Sequence, residues 1–208
     1  MKDYKNYSEK QNLIHGSVHM NNKKAGRGPT SFHMHNQSFV FREFDIKPGN
    51  VFLDLGCGAG EYAVQARNYV GEDGFVYALD VMEETIDALN KNAKEVGVKN
   101  IKAIKSDITK PLPLESDSID ICLISTVLHT LSLEATGDDL FKEIFRVLKP
   151  EGRMITIDCK KEENGFGPPL HLRISPDELE KIVLNQRFKK LKLTDLGHFY
   201  MYQFSVEK

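Results

Sequence analysis

Three glycines at alternate positions end a short apolar run in the stretch "VFLDLGCGAGEYAVQA", residues 51–66. The apolar run 50–55 predicts a strand buried on both faces, and residues 61–70 follow with helical spacing. A strand that passes through glycines into a helix is typical of the ligand-binding edge of an open α/β sheet. Glycines let the main chain turn tightly and approach a ligand, while the helix start offers unpaired N–H groups. This feature restricts the chain to a small set of ligand-binding α/β folds.

Strands and helices alternate along most of the chain. Further strands are predicted at 74–80, 100–107, 118–126 and 153–159, with helices at 36–44, 82–97 and 136–152. Such alternation predicts a parallel, doubly wound sheet with right-handed crossovers. A helix at 175–187 then precedes two strand-like runs that only Gly197 separates. A connection this short permits only an antiparallel hairpin.

The composition excludes several classes of protein. The net charge of −2 gives no general attraction to nucleic acid or to an anionic membrane. No apolar run is long enough to span a bilayer, and the polar N-terminus lacks the apolar core of a signal peptide. The three cysteines are scattered and form no CxxC pair, so the sequence indicates neither a disulfide framework nor a zinc knuckle. We therefore expect a cytoplasmic, reduced protein with no membrane partner.

The spacing of the glycines narrows the choice of ligand. The dinucleotide pattern G-x-G-x-x-G would need a glycine where Glu61 stands, and no G-K-[ST] follows for a phosphate loop. Glu61 at the helix start would also repel a pyrophosphate. The pattern here is G-x-G-x-G, with Asp54 two residues before the first glycine. A ligand with an ammonium group and no phosphate fits this pattern, and S-adenosylmethionine is such a ligand.

The segment "FLDLGCGAG" resembles motif I of the class I S-adenosylmethionine-dependent methyltransferases. The resemblance covers about residues 36–160, extends more loosely to the C-terminus, and is strongest to the type 11, menaquinone-biosynthesis-like group. It implies a Rossmann-like, doubly wound, mostly parallel sheet of seven strands in the order 3-2-1-4-5-7-6, with the last strand antiparallel. "VLKPEGRMITID" is similar to the family's "LKPGG" signature, with Glu151 in place of a glycine on the side of the sheet away from the ligand.

The resemblance places the cofactor contacts where four successive strands end. It implies that Asp80 accepts both ribose hydroxyls, that Asp107 receives the adenine amine, and that Asp54 supports the glycine loop and the cofactor's ammonium group. An acidic strand end is by itself more often only solvated, so the order of the four motifs carries the assignment. The implied S-adenosylmethionine contacts are Asp54, Gly56, Cys57, Gly58, Gly60, Asp80, Val81, Met82, Asp107, Ile108 and Ser125.

His129, in "STVLHTL" after the fourth strand, is the candidate catalytic residue. Methyl transfer from a sulfonium is an in-line displacement, and a base is needed only if the nucleophile carries a proton. Histidine suits that role near neutral pH. The alternative is that His129 only packs beside the cofactor. Cys159 at the end of the fifth strand could also face the substrate.

Two other segments carry candidate substrate contacts. His33, His35 and Asn36 lie in a segment that in such folds often covers the cofactor. His171 and Arg173, in the glycine- and proline-rich loop 165–175, could meet an anionic acceptor or be solvated. The histidines have no accompanying cluster of cysteines or acids, so the sequence predicts no metal site.

We expect a single domain over 1–208, with an N-terminal arm or lid at 1–45 and a catalytic core at 46–208. Residues 1–30 are polar and predict a loosely held arm. The arm is expected to close over the cofactor, with Phe32 and its neighbours near the methyl donor. A truncation beginning at Asn36 should still fold, because it removes no strand of the sheet.

The predicted function is methyl transfer from S-adenosylmethionine to a small-molecule acceptor, by a monomer or homodimer. An RNA or protein methyltransferase is an alternative, with the basic arm and the lysines Lys189, Lys190 and Lys192 as the contact surface. A regulator that binds the cofactor without catalysis is another. The Asn-Pro-Pro-Tyr signature of base N-methylation is absent, its place being held by "STVL". The sequence therefore does not favour nucleic acid as a partner.

Overall fold

The computed structural model describes residues 31–163 and 165–208, so the predicted arm of residues 1–30 lies outside the described residues. The strands are β1 (Val51–Leu55), β2 (Phe75–Asp80), β3 (Ile101–Lys105), β4 (Ile119–Ser125), β5 (Leu148–Cys159), β6 (Phe188–Leu196) and β7 (Phe199–Val206). The helices are α1 (Gln37–Phe44), α2 (Glu61–Val70), α3 (Glu83–Glu95), α4 (Leu133–Val147) and α5 (Pro176–Leu184). Within this part of the chain, no helix combines the length and hydrophobicity that a membrane span requires.

The seven strands form one sheet in the order β3-β2-β1-β4-β5-β7-β6. The first five strands pair in parallel, whereas β7 pairs antiparallel with both β5 and β6. β7 is thus the one strand that runs against the rest. The predicted fold class, strand order and antiparallel hairpin are all confirmed.

Helices cover both faces of the sheet. Phe52 of β1 packs in a cluster with residues of α1, α2 and α3, while its neighbour Leu53 packs with residues of α4 and α5. Side chains alternate between the faces of a strand, so these two clusters lie on opposite sides of the sheet. Because both faces are covered, the central strands read as continuous apolar runs.

The predicted helix at 136–152 is wrong at both ends. The helix α4 starts earlier, at Leu133, and ends at Val147, after which the chain enters β5. Pro150 disfavours helical conformation in the residue before it, and Leu148 pairs with Ile119 of β4. The "LKPEG" segment therefore belongs to the strand.

The described part of the N-terminal segment packs against the sheet. Asn36 caps α1 by accepting a hydrogen bond from the Phe39 N–H at 2.9 Å. Phe32, before the cap, is only 1% exposed and lies in the same hydrophobic cluster as Phe41 and Phe44 of α1. The segment 31–44 is therefore packed against the core through its buried side chains, and the lid role predicted for residues 1–45 stays a prediction.

Candidate active site

A cavity of about 770 Å³ opens where the parallel strands of the sheet end at their carboxyl sides. Loops after all five parallel strands of the central sheet contribute to it, together with the N-terminal segment and β7. Its lining consists of Ser31, Met34, Gly56, Cys57, Gly58, Ala59, Glu61, Tyr62, Asp80, Val81, Asp107, Ile108, Thr126, Val127, His129, Thr130, Leu131, Cys159, Phe166, Gly167, Pro168 and Phe199. This is the edge at which open α/β sheets bind ligands.

The glycine loop forms one wall of the cavity with its main chain. Gly56, Gly58 and Gly60 have positive φ angles of 79°, 54° and 80°, which glycine adopts without steric cost. A Cβ atom at Gly56 would lie 2.4 Å from Cγ2 of Val127, so a side chain there would push into the neighbouring cavity loop. The Gly60 N–H donates to the Cys57 carbonyl at 2.8 Å, which closes the loop before α2.

Two acidic side chains face the cavity beyond the glycine loop. The Asp80 carboxylate, 6% exposed, accepts the Gly58 N–H at 2.9 Å and the Met82 N–H at 3.0 Å, one on each oxygen. These two bonds fix the carboxylate between the loops that follow β1 and β2. Asp107 is exposed, and its Oδ1 accepts hydrogen bonds from the main chain and the hydroxyl of Thr109, at 2.9 Å and 2.7 Å. Those bonds hold the pKa of Asp107 below its usual value.

Two further acids shape the electrostatics of the glycine loop. Asp54 lies behind the loop, and burial raises its pKa to about 7, although the Ala63 N–H bond at 3.0 Å opposes this. The negative charges of Asp80 and Glu61 raise it further. Glu61 lines the cavity, and its Oε1 lies 2.9 Å from Nε2 of His33. The loop is thus surrounded by acidic side chains and by no lysine or arginine of the described cavity lining, which suits a cationic ligand.

His129 stands on the turn Leu128–Thr130 that follows β4, with 19% of its side chain exposed, and it lines the cavity. Its Nδ1 lies 3.5 Å from Oδ1 of Asp158, a fully buried carboxylate in β5. Cys159, the next residue, lines the cavity and is 3% exposed, and burial raises the pKa of its thiol to about 11. A thiol held protonated in this way is not a nucleophile near neutral pH.

The loop after β5 forms one wall of the cavity, and Arg173 holds this loop in place. Arg173 itself does not line the cavity. Arg173 is 7% exposed, and its guanidinium donates to the main-chain carbonyls of Pro168 at 2.7 Å, of Lys160 at 3.0 Å and of Glu162 at 2.9 Å. It also donates to the carbonyl of Phe166. The sequence suggested an anionic acceptor or solvent for Arg173, and the structure corrects both interpretations.

The structure brings together most of the predicted cofactor residues. Those that line the cavity are Gly56, Cys57, Gly58, Asp80, Val81, Asp107 and Ile108, with His129 beside them. Asp54, Gly60, Met82 and Ser125 lie outside the lining. Met82 and Gly60 are the caps of α3 and α2. The Ser125 hydroxyl, at the end of β4, lies 3.0 Å from the hydroxyl of Ser31.

The predicted substrate residues do not line the cavity. His35 bonds through Nε2 to the Tyr62 hydroxyl at 2.7 Å, and burial lowers its pKa to about 4. Asn36 is occupied as a helix cap, and His171 is exposed on the turn Leu170–Leu172. Within the described residues, no group of three or more His, Cys, Asp or Glu side chains is placed to hold a metal ion.

Several lining residues had no local sequence signal. Ser31, Met34 and Phe199 come from the segment before the sheet and from β7, and long-range packing alone brings them to the cavity. Thr126, in a left-handed conformation with φ of 53°, turns the chain directly after β4. Only the position of Thr126 after a strand end could have indicated a site residue.

The fold and the cavity define a class of protein. Residues 46–196 match the family described as a methyltransferase domain. The chain therefore belongs to this family, and its fold is that of the class I S-adenosylmethionine-dependent methyltransferases.

Individual proteins give a finer comparison. A solved structure of an S-adenosylmethionine-dependent methyltransferase from Aquifex aeolicus is 30% identical, with a TM-score of 0.77, over 86% of this chain and 94% of that one. A demethylmenaquinone methyltransferase of Lactobacillus johnsonii is 29% identical over 60% of this chain and 50% of its own length. The enzyme of that name from Lactococcus lactis subsp. lactis is 37% identical over 53% of this chain and 42% of its own length. The chain thus spans about half the length of these two curated relatives.

Proposed function

We propose that this protein transfers a methyl group from S-adenosylmethionine to a small-molecule acceptor by in-line displacement. The observation that carries the proposal is the convergence of the glycine loop, Asp80, Asp107 and His129 on one cavity at the carboxyl edge of the sheet. Family membership supports the same activity.

The cavity suits S-adenosylmethionine in its shape and its charge. The loop around Gly56 and Gly58 lets the main chain approach the methionine part, and Asp80 is fixed where the ribose hydroxyls are expected. Val81, with 55% of its surface exposed, lines the cavity where adenine would pack. The acidic surroundings favour the sulfonium and ammonium groups and disfavour the phosphates of a dinucleotide. When bound, S-adenosylmethionine supplies the electrophilic methyl group, and these residues bind and orient it.

The remaining wall favours an uncharged, largely apolar acceptor. Met34, Leu131, Phe166, Pro168 and Phe199 contribute apolar surface to the cavity. No lysine or arginine occurs among the described residues of the lining. An acceptor with a phosphate or several carboxylates would therefore lack a counter-charge. We propose His129 as the base where the acceptor has a proton to lose.

The lysine cluster gives little support to the alternative of an RNA or protein methyltransferase. Lys189, Lys190 and Lys192 lie on the edge strand β6, and each pairs with a carboxylate at 2.5–3.1 Å. Charges that are already paired add less to phosphate binding than free ones. The cytoplasmic location, the monomeric or homodimeric state and the absence of a nucleic-acid partner stay predictions from the sequence.

The test of cofactor binding is titration calorimetry with S-adenosylhomocysteine on the full chain and on Asp80→Asn. Loss of a charge-assisted pair of hydrogen bonds is worth about 1.5–3 kcal/mol, so the Kd of the variant should rise roughly 10- to 150-fold. Glu83→Gln is the matched control. Glu83 also follows the carboxyl end of β2, but its side chain is 66% exposed and pairs with Lys105, and it does not line the cavity.

An unchanged Kd for Asp80→Asn would remove the assignment of the ribose site. Methyl transfer to a metabolite library, followed with labelled S-adenosylmethionine, separates the enzyme from the non-catalytic regulator. Binding of the cofactor with no transfer to any member of the library, but with transfer to RNA or protein, would contradict the small-molecule proposal and support that alternative.

A further inference from the structure

A buried acid lies behind His129, on the side away from the cavity. Asp158 is 0% exposed, and its Oδ1 accepts the Cys159 N–H at 2.9 Å and lies 3.5 Å from Nδ1 of His129. Its Oδ2 and the His129 Nδ1 are both buried, and neither has a hydrogen-bond partner among the described residues. The His129 nitrogen, which has no partner among the described residues, thus lies near the Asp158 oxygen that accepts the Cys159 N–H, and Oδ2 is the other oxygen of the same carboxylate.

This pairing is energetically significant because buried polar groups are costly when left unbonded. An unsatisfied group of this kind destabilises the folded protein, and more so when it is charged. A hydrogen on Nδ1 directed at Oδ1 of Asp158 would satisfy the imidazole nitrogen and give the carboxylate a second hydrogen bond, after a closure of a few tenths of an ångström. Hydrogen bonds between catalytic groups are often this long before a ligand binds.

The neighbouring polar groups are engaged elsewhere. Tyr200, which pairs with Asp158 across β5 and β7, donates its hydroxyl to the Ile174 carbonyl at 3.1 Å. The Arg173 guanidinium donates to the carbonyls of the loop after β5. The Cys159 thiol beside them has its pKa raised by burial. The imidazole of His129 is the group whose geometry suits a bond to Asp158.

On the basis of the proposed function, we propose that Asp158 is a positioning residue that holds the proton of His129 on Nδ1 and leaves Nε2 as the base that faces the cavity. An acid behind an imidazole selects the tautomer in this way in other catalytic sites. The acceptor class that follows is one whose nucleophilic atom carries a proton, such as a hydroxyl or a thiol.

The proposed step balances in protons and electrons. His129 Nε2 takes the proton of the acceptor, and Asp158 stabilises the imidazolium that results. The acceptor's electron pair forms a bond to the methyl carbon, and the pair of the broken carbon–sulfur bond stays on sulfur. The products are the methylated acceptor, neutral S-adenosylhomocysteine and a proton that His129 passes to water.

The test reads the tautomer of His129 directly and needs no acceptor. Long-range ¹H–¹⁵N spectra of the full chain, labelled on histidine, distinguish a protonated from an unprotonated ring nitrogen at about pH 8, where neutral imidazole prevails in general. His129→Gln identifies the resonances. We expect the protein to show the Nδ1–H tautomer, and Asp158→Asn, whose amide can donate to Nδ1, to shift the population to Nε2–H.

Asp195→Asn is the matched control, since Asp195 is a strand-end acid whose side chain is 71% exposed, and it should leave the tautomer unchanged. An Nε2–H tautomer in the unmodified protein would overturn the proposal, and so would equal populations in the protein and in Asp158→Asn. If Asp158→Asn does not fold, the unmodified protein still decides between these outcomes. Calorimetry with S-adenosylhomocysteine is run in parallel: failed binding with the Nδ1–H tautomer intact would refute the methyltransferase proposal and not the pairing.

Discussion

Asp54 carries an unusual charge state for a residue so near the proposed cofactor. It is 2% exposed in β1, and burial raises its pKa to about 7, with the Ala63 N–H bond acting in the opposite direction. In the unfolded chain, the pKa of Asp54 takes the ordinary value for aspartate, about 3.9. Between these two values the folded protein binds one proton more than the unfolded chain, so the stability that Asp54 contributes is lost as the pH rises toward 7.

We therefore expect Asp54→Asn to gain stability over the unmodified protein as the pH is raised. The amide cannot ionise and still offers an acceptor to Ala63. The difference in unfolding free energy between the two proteins should change in favour of the variant by roughly 2 kcal/mol from pH 5 to pH 8. Urea unfolding followed by circular dichroism at both pH values measures it. Asp73→Asn, at an exposed turn, serves as the control, and a difference that stays constant with pH would contradict the assignment.

The main chain of the loop after β5 is cross-linked by the hydrogen bonds of a single side chain, that of Arg173. Arg173 bonds to four main-chain carbonyls of this loop, and the loop carries Phe166, Gly167 and Pro168 to the cavity wall. A planar guanidinium can serve several acceptors at fixed angles, whereas a lysine ammonium is a point charge with three donors. The shape of this part of the wall therefore depends on arginine.

Replacing Arg173 with lysine should leave carbonyls of the loop unsatisfied and loosen it. We expect the unfolding free energy to fall by roughly 1–3 kcal/mol, which thermal denaturation measures. The KM for the acceptor should rise, while the Kd for S-adenosylhomocysteine should stay the same, since the proposed cofactor contacts lie on the other loops. Arg42→Lys, on the exposed face of α1, is the control. An affected cofactor Kd with an unaffected KM would show that the loop serves the other half of the cavity.

The elements of this fold could be predicted from the sequence to the extent that their signals are local. The glycine loop, the helix start at Asn36 and the short connection at Gly197 each have a local signal, and the strands between them follow from apolar runs. The contacts of Ser31 and Phe199 with the cavity depend on chain packing over long sequence distances, which no local pattern encodes. The role of Asp158 could not be predicted from the sequence, because an acid inside an apolar strand does not indicate which side chain it contacts. Its neighbour, His129, lies on the turn after a different strand.

At the scale of the whole molecule, the described N-terminal segment contributes side chains both to the hydrophobic core and to the cavity lining. Ser31 and Met34 line the cavity, Phe32 lies in the core, and the Ser31 hydroxyl reaches Ser125 at the end of β4. A truncation beginning at Asn36 removes no strand, but it does remove a buried side chain and a contact to β4, and its folding stays a prediction.

Two truncations separate the packed segment from the residues before it. A chain that begins at Ser31 keeps Phe32 and is the reference for the shorter one. A chain that begins at Asn36 should lose about 3–5 kcal/mol, the usual cost of deleting a buried phenylalanine, and should methylate poorly. Phe32→Ala in the full chain should show a similar loss of stability in urea unfolding. Equal stability of the two truncations would show that residues 31–35 contribute nothing to the core.

The position of β7 has a consequence for the order of events in folding. β7 follows β6 along the chain but lies between β5 and β6 in the sheet, so β6 has no strand to join until β7 has been synthesised. Until then β5 is an open edge, and unpaired edges invite association with other chains. Pairing Cys159 with Phe199 also closes a long loop, a step that chain entropy delays. In a nascent chain that pauses before Phe199, the cavity therefore lacks the residue that β7 supplies, and the edge of β5 is open to the wrong partner.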